Sequence, residues 1–412
     1  MLIYSMRTTK YNQDENIEDM LDTKKRSLET NYRICTRCIY DSSVPSIVFD
    51  EQGVCNYCKM TDNLILEYQT ALPEGEKKLN SFVEEIKRAG KNKKYDCVVG
   101  VSGGTDSSFM LVWAVQNGLR PIAVHYDNTF NTAIATQNIH NITKKLGVDL
   151  FTLVVDNIEA EDIFRSFFYA NVPELDASTD IALAETLYRA ASKFGIKYIL
   201  EGHSFLEEGI TPLGKNYFDG KYIESIHARY GKVRLKTFPN MPFWIFIKWI
   251  ALKRIKKIRP FWYMNYSKEQ AKVVLTEQFG WQDYGGHHLE NRLTAFSHSV
   301  YFPQKFSIDY RNNTLAAKVR NGKLNREEAI KEYYETQPLI EPGLVEYIRK
   351  RMGFSIEEYE HIMKSKPKYW YDYPTSKKRF EKLRPFFYIL YKSNLVPKSF
   401  YMKYCFPINA PQ

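Results

Sequence analysis

Between Ser102 and Ser108 the chain reads Ser-Gly-Gly-Thr-Asp-Ser-Ser, set in "YDCVVGVSGGTDSSFMLVW" (95–113) between an apolar strand and a helical run. These residue types suit an anion. Gly103 and Gly104 let backbone N–H groups approach phosphate oxygens, and Ser102, Ser107 and Ser108 add hydroxyl donors. The N-terminus of the following helix favours negative charge. The turn has no cation of its own. A Walker loop ends in Gly-Lys-Ser/Thr, whereas here Gly104 is followed by Thr105 and Asp106, and a Gly-x-Gly-x-x-Gly fingerprint is also missing.

Four of the six cysteines form a second constellation: "CTRC" (Cys35, Cys38) and "CNYC" (Cys55, Cys58), with sixteen residues between the pairs. Each Cys-x-x-Cys turn aims two sulfurs at one ion, and two such turns complete a tetrahedron. A pair of disulfides or four free thiols is the alternative, disfavoured in a reducing compartment. With all four ligand positions filled by protein, the expected Zn2+ is structural. The intervening "VPSIVFDEQGV" predicts a short strand and turn, as in a zinc ribbon. Cys97 falls in an apolar strand and Cys405 near the C-terminus, both as bystanders.

These groups need a scaffold to bring them together. Strands are expected at 95–101, 121–128, 149–156 and 197–204. Helices are expected from about Asp106 to Asn117, Thr132 to Leu146, across "EAEDIFRSFFYA", and from Ala177 to Phe194. Short apolar strands alternating with helices imply an α/β fold with a parallel sheet covered on both faces. Its ligands bind at the carboxyl ends of the strands. The glycine turn, Asp127-Asn128 and Glu201-Gly202-His203 all fall at such ends. Asp127 and Asn128 face either a nucleotide ribose or metal, or else cap a helix. His203 is a site candidate, with Glu207 and Glu208 beside it as candidates to coordinate magnesium. Asp180 is an N-cap or faces phosphates. In "YGGHHLENR", His287, His288, Glu290 and Arg292 either line a sugar or phosphate pocket or form a structural turn.

Composition limits what else the chain does. Its 412 residues are 26% charged and 15% aromatic, with 30 Tyr and a net charge of +10. The first thirty residues lack a signal pattern, and the most apolar stretch, 242–252, is too short to span a bilayer. A cytoplasmic protein is the expectation. From Ser225 to Lys268 there are eleven Lys or Arg and no acid, and from Lys364 onward eleven against two acids. Such blocks point to anionic partners. For the aromatic-cationic segment 241–265, core packing plus partner or substrate contact is favoured over peripheral membrane contact or RNA. No stable nucleic-acid partner is expected.

The run Ser-Gly-Gly-x-Asp-Ser after an apolar strand resembles the loop of the PP-loop ATP pyrophosphatase superfamily, whose fold is adenine nucleotide alpha-hydrolase-like. The resemblance implies that Ser102, Gly103, Gly104, Thr105, Asp106, Ser107 and Ser108, with Asp127 and Gly202, bind ATP. The β,γ-phosphates then leave as pyrophosphate, and Asp106 helps hold Mg2+ or fixes the loop. Within that superfamily, the cysteine segment, "VHYDNTFN", "VPELDASTDIAL", "EGHSFLEEGITPLG", "DYGGHHLENRLTAF" and "FPQKFSIDYRNNTLAAKVRNGKLNREEA" resemble the N-acetyl sugar amidotransferases of surface-polysaccharide and nonulosonic-acid synthesis.

That family resemblance implies adenylylation of a sugar N-acetyl oxygen and displacement of AMP by ammonia to give an acetamidino group. Asp106, His203 and Glu207 are then the catalytic candidates. The substrate class is a sugar nucleotide, and ammonia comes from a glutaminase plus a barrel subunit similar to the pair used in histidine synthesis. The expected organisation is a polar extension (1–30), a zinc ribbon (31–62), an ATP domain (75–230), a mainly helical C-terminal domain (231–375) and a basic tail (376–412). The rival reading is a tRNA-thiolating PP-loop enzyme.

Overall fold

Five short strands, β1 (Cys97–Gly100), β2 (Pro121–Asp127), β3 (Leu150–Val154), β4 (Tyr198–Leu200) and β5 (Lys256–Ile258), pair in parallel in the order β3-β2-β1-β4-β5. They belong to a computed structural model that describes residues 33–212, 216–285 and 289–407. β1 lies at the centre. The chain winds outward from it to β2 and β3, then returns to the other side for β4 and β5. That reversal between β1 and β4 opens a crevice at the carboxyl ends of the strands, where doubly wound sheets bind ligands.

Alternation along β1 sorts its side chains between two cores. Cys97, Val99 and Val101 join Leu79, Val83, Met110 and Leu111 on one face, while Val98 joins Leu187, Ala191 and Ile250 on the other. The helix Thr105–Gln116 buries Met110, Leu111, Val112, Trp113 and Ala114. It is apolar nearly all round because helix Lys268–Phe279 covers the side away from the sheet. A third core of aromatic residues, including Phe164, Phe167, Phe168, Phe296 and Tyr301, joins helix Asn157–Ala170 to the region after 290. Side-chain caps fix where helices begin: Thr132 accepts from the Ala135 N–H, and Asp156 accepts from those of Ile158 and Glu159.

The structure departs from the sequence reading in four places. β5 comes from 256–258, so the sheet is completed beyond the boundary expected near residue 230. The edge strand β3 leaves Leu150 and Val154 exposed among the described residues instead of covered. The expected ribbon is reduced to two single bridges, Ile34 with Asp41 and Phe49 with Cys55. The region expected as a basic tail forms helices Lys377–Lys382, Arg384–Lys392 and Lys398–Cys405, whose Phe380, Phe387, Leu390 and Tyr401 complete the core beneath the sheet with Phe243, Phe246 and Trp249.

Four cations near the end of the 225–268 block are engaged internally, while Arg229, Lys232, Arg234, Lys236, Lys248, Lys253 and Arg254 stay exposed. Lys256 pairs with Glu85 at 3.0 Å, Lys257 and Arg259 pair with Glu201 at 2.6 and 3.0 Å, and Lys268 pairs with Asp106. Among the described residues, no helix is long and apolar enough to cross a membrane.

Candidate functional site

The turn after β1 is held open by contacts to its own backbone. Gly103 has φ +83°, and a Cβ there would lie 2.2 Å from the carbonyl oxygen of Ala135, so only glycine fits. Its carbonyl accepts from Trp281 Nε1 at 2.9 Å and Asn138 Nδ2 at 3.2 Å. The Ser102 and Ser107 hydroxyls lie 3.1 Å apart, and the Ser102 and Gly104 N–H groups point at these hydroxyls. Ser102, Gly104, Asp106, Ser107 and Gly202 line a small cavity of about 190 Å³ together with His203, Glu208, Lys268, Tyr284 and Glu290. Ser108, counted with the loop donors from sequence, and Thr105, expected with it among the ATP-binding residues, are buried and line neither this cavity nor its larger neighbour.

A lysine does stand at this loop, contributed from far along the chain. Lys268 Nζ lies 2.6 Å from Asp106 Oδ2, and the Tyr266 hydroxyl donates to Asp106 Oδ1 at 2.6 Å. Burial works against charge on both groups. Even so, the Lys268 charge holds Asp106 below the usual carboxylate range, and Asp106, Glu208 and Glu290 together raise Lys268. Sequence reading counted Lys268 only as the last cation of the 225–268 basic block and did not single out either Lys268 or Tyr266 as part of the loop site.

Of the two adjacent glutamates, the structure brings Glu208 to the cavity and turns Glu207 away. Glu207 is buried, accepts from the Lys268 backbone N–H at 3.4 Å and pairs with Lys323. It therefore anchors the start of a helix, which corrects its placement among the catalytic candidates. His203 accepts at Nδ1 from Trp262 Nε1 at 3.1 Å, which leaves Nε2 as the donor toward Glu208 Oε2 at 3.4 Å. Glu201 also faces the crevice. Burial pushes it up, but the charges of Lys257 and Arg259 hold its carboxyl well below the usual range.

The small cavity adjoins a cleft of about 630 Å³ that runs past the ends of β1, β2 and β4. An amide network lines its middle. Asn291 Nδ2 donates to Asn128 Oδ1 and Asn131 Oδ1, and Asn128 Nδ2 donates to Thr179 Oγ1 at 3.1 Å. His125 donates from Nδ1 to the Val101 carbonyl at 2.8 Å and accepts at Nε2 from Asn131. Burial lowers its pKa, so it stays neutral. Asp127 is not in the cleft: its carboxylate accepts from the Thr129 N–H at 2.7 Å to fix a turn, and Asn128 takes the place expected for it. Glu290 lines both cavities, whereas Arg292 turns outward to Glu341 at 3.7 Å and the Tyr347 ring. His287 and His288 lie outside the described residues.

The four cysteines come together. Their sulfurs all lie within 4.8 Å of one another, with Cys35–Cys58 and Cys38–Cys55 at 3.8 Å and Cys55–Cys58 at 3.6 Å. Disulfide sulfurs would be about 2 Å apart. Four thiolates about 2.3 Å from a central zinc stand roughly 3.8 Å from each other in a tetrahedron. The group can hold one metal ion. Arg320 donates to Cys58 and Cys38 sulfurs at 3.4 and 3.3 Å, and Arg326 donates to the Cys35 and Cys38 carbonyls. The remaining thiols are buried. Burial raises Cys97 well above the ordinary range and pushes Cys405 up to about 12.

Residues 290–384 match the family described as LPS biosynthesis protein WbpG-like, C-terminal domain. This bears out the resemblance to a surface-polysaccharide family. The WbpG-like region begins at Glu290 in the cleft and includes both arginines that hold the cysteine cluster. Over 321 residues, 77% of this chain and 98% of the relative, the sequence is 24% identical to the uncharacterized protein MJ1599 of Methanocaldococcus jannaschii. A stretch of 139 residues is 32% identical to tRNA(Ile)-lysidine synthase of Deinococcus deserti, spanning 33% of this chain and 25% of that enzyme. The solved NMN synthetase from Francisella tularensis is covered over 93% of its chain and 69% of this one, at 13% identity and a TM-score of 0.31. That likeness bears on neither reaction nor substrate.

Proposed function

We propose that the protein is an ATP-dependent amidotransferase of surface-polysaccharide synthesis that converts a sugar N-acetyl group into an acetamidino group. One observation carries the reading: a lysine-free phosphate turn at the β1/β4 crevice, with Asp106 and Lys268 paired beside it, opens into a cleft whose other wall starts the WbpG-like region. The acetamido oxygen attacks the α-phosphorus of ATP and the bond to pyrophosphate breaks. Ammonia then adds to the activated carbon, the bond to AMP breaks, and an amidinium group, AMP and one proton result.

Each residue has a part in this scheme. The loop N–H groups and the Ser102 and Ser107 hydroxyls seat the departing phosphates, and Lys268 offsets the charge that develops on them. Asp106 and Glu208 supply oxygen donors suited to Mg2+, which when bound neutralises phosphate charge. His203, oriented by Trp262, has its Nε2 proton directed to Glu208 and stands where ammonia would approach. The cysteine cluster holds Zn2+ as a structural ion. The division of labour follows the chain: the segment near 31–62 for metal, the sheet for nucleotide, and the region after 290 for the acceptor. Use of ATP assigns the enzyme to the cytoplasm.

Ammonia reaches this chain from a glutaminase and a barrel subunit. Supporting that partner requirement, Cys97 and Cys405 are both buried and protonated, unlike an activated nucleophile. The tRNA-modifying alternative draws on the local match to a lysidine synthase. A thiolating version of it is poorly supported, because the clustered sulfurs leave room for one ion rather than a cluster of several irons. The test incubates the protein with ATP, ammonium and a panel of nucleotide-linked N-acetyl sugars, following AMP and pyrophosphate by chromatography. Asp106→Ala should abolish turnover in protein that circular dichroism shows to be folded, although it also costs stability by leaving Lys268 unpaired. ADP and orthophosphate as products would overturn the reading.

A further inference from the structure

Beyond the loop, the 630 Å³ cleft widens into a lobe built from two segments far apart in sequence. Glu174, Asp176 and Asp180 come from the start of helix Ala177–Lys193 and the turn before it. His298, Phe302 and Tyr310 come from the WbpG-like region. The His298 and Tyr310 rings stack 4.6 Å apart at 13°, and Phe302 lies 5.1 Å from Tyr310. Burial raises the Tyr310 hydroxyl, and so do the charges of Glu174, Asp176 and Asp180, which line the same cleft.

Glu174 is 5% exposed. Its Oε2 accepts from the Tyr222 hydroxyl at 2.9 Å, and the backbone at Glu174 and Tyr217 also bears on the carboxyl, while Oε1 is buried beneath the cleft surface without a well-formed hydrogen bond. A buried carboxylate oxygen without one is costly, so a ligand hydroxyl is the natural partner. Burial pushes Glu174 up to about 7, so near neutrality it serves as donor or acceptor. Among the described residues, no Lys or Arg lines the cleft. Lys403 stands behind it, donating to Asn216 Oδ1 at 3.0 Å.

We propose that this lobe is the sugar-ring pocket. It takes the uncharged, hydroxyl-bearing ring of the substrate against the His298–Phe302–Tyr310 wall, with hydroxyls donating to Glu174, Asp176 and Asp180. Any phosphate attached to that sugar stays outside the cleft. The proposal rests on the loop end being the ATP site. Its chemistry follows from the lining: carboxylates accept from hydroxyls and repel phosphates, while aromatic walls suit the apolar face of a pyranose.

The test measures ATP binding by calorimetry, and sugar binding by saturation-transfer NMR, on the full chain. The probes are UDP-N-acetylglucosamine, N-acetylglucosamine 1-phosphate and the methyl glycoside of N-acetylglucosamine. Ring protons should saturate more strongly than uridine protons, and the glycoside should displace the UDP-sugar. Glu174→Gln should weaken sugar binding about tenfold, the loss of one buried hydrogen bond, and leave ATP binding unchanged. Asp180→Asn, at an exposed position, keeps the test when Glu174→Gln unfolds. Sugar binding that is unaffected in either folded variant, confined to the phosphate-bearing probes, or absent for all three overturns the proposal. Failure of the wild-type protein to bind ATP overturns the ATP reading instead.

Discussion

Lys268 Nζ and Asp106 Oδ2 sit 2.6 Å apart although 162 residues separate them along the chain. Both side chains are mostly buried. A turn with no cation of its own has been given one by the fold, at the edge where phosphate charge would leave.

Lys268→Met should therefore lower kcat by roughly 100-fold or more, on the scale of losing one preorganised charge contact. It should also destabilise the fold by about 3 kcal/mol by leaving Asp106 buried and unpaired. The pH dependence has a definite sign. Because the folded Asp106 titrates below its unfolded value, its contribution is complete above the unfolded aspartate pKa of about 4 and is lost as pH falls through the folded one. Urea midpoints of wild type and variant should differ at pH 7 and converge in acid.

Metal removal should reach the cleft. The Tyr40 hydroxyl, beside the cysteine cluster, donates to Asn313 Oδ1, and Asn313 Nδ2 donates to the Glu208 carbonyl at 2.8 Å. About one zinc per chain is expected by elemental analysis. Cys35→Ser or Cys55→Ser should lower metal content, Tm and activity together. Asn313→Ala should retain the zinc yet lose about tenfold in turnover, as outer-shell changes typically do.

Glu201→Gln leaves Lys257 and Arg259 without their shared acid at the β4–β5 junction. We expect a loss of about 3 kcal/mol, read from chemical denaturation at neutral pH. The carboxylate contributes this stability above about pH 4, so the wild type should approach the variant in acid.

Ammonium, and not glutamine, should support turnover by the isolated chain, with glutamine dependence appearing only when partner subunits are added. Cys97→Ala and Cys405→Ala should leave ammonium-dependent product formation unchanged. Acetamidine formed from glutamine alone, in assays of highly purified protein, would refute the partner requirement.

What the sequence by itself determined was local. The turn at 102–108, the two Cys-x-x-Cys pairs and four of the five strands are legible because glycine, cysteine spacing and short apolar runs each act within a few residues. What only the tertiary structure decided was which groups face the cleft. Glu207 and Glu208 are identical in type and adjacent, and in an irregular turn no periodicity tells which points inward. The same holds for Asp127 and Asn128 at the end of β2. β5 was hidden because Lys256-Lys257-Ile258 looks like part of a basic helix, and its lysines become strand residues only when Glu85 and Glu201 are alongside. Lys268 is legible only as one cation of a basic block, with nothing local to tie it to the loop. Its partner is a carboxylate on another element, and a charge pair of that kind exists only once the chain has closed the distance.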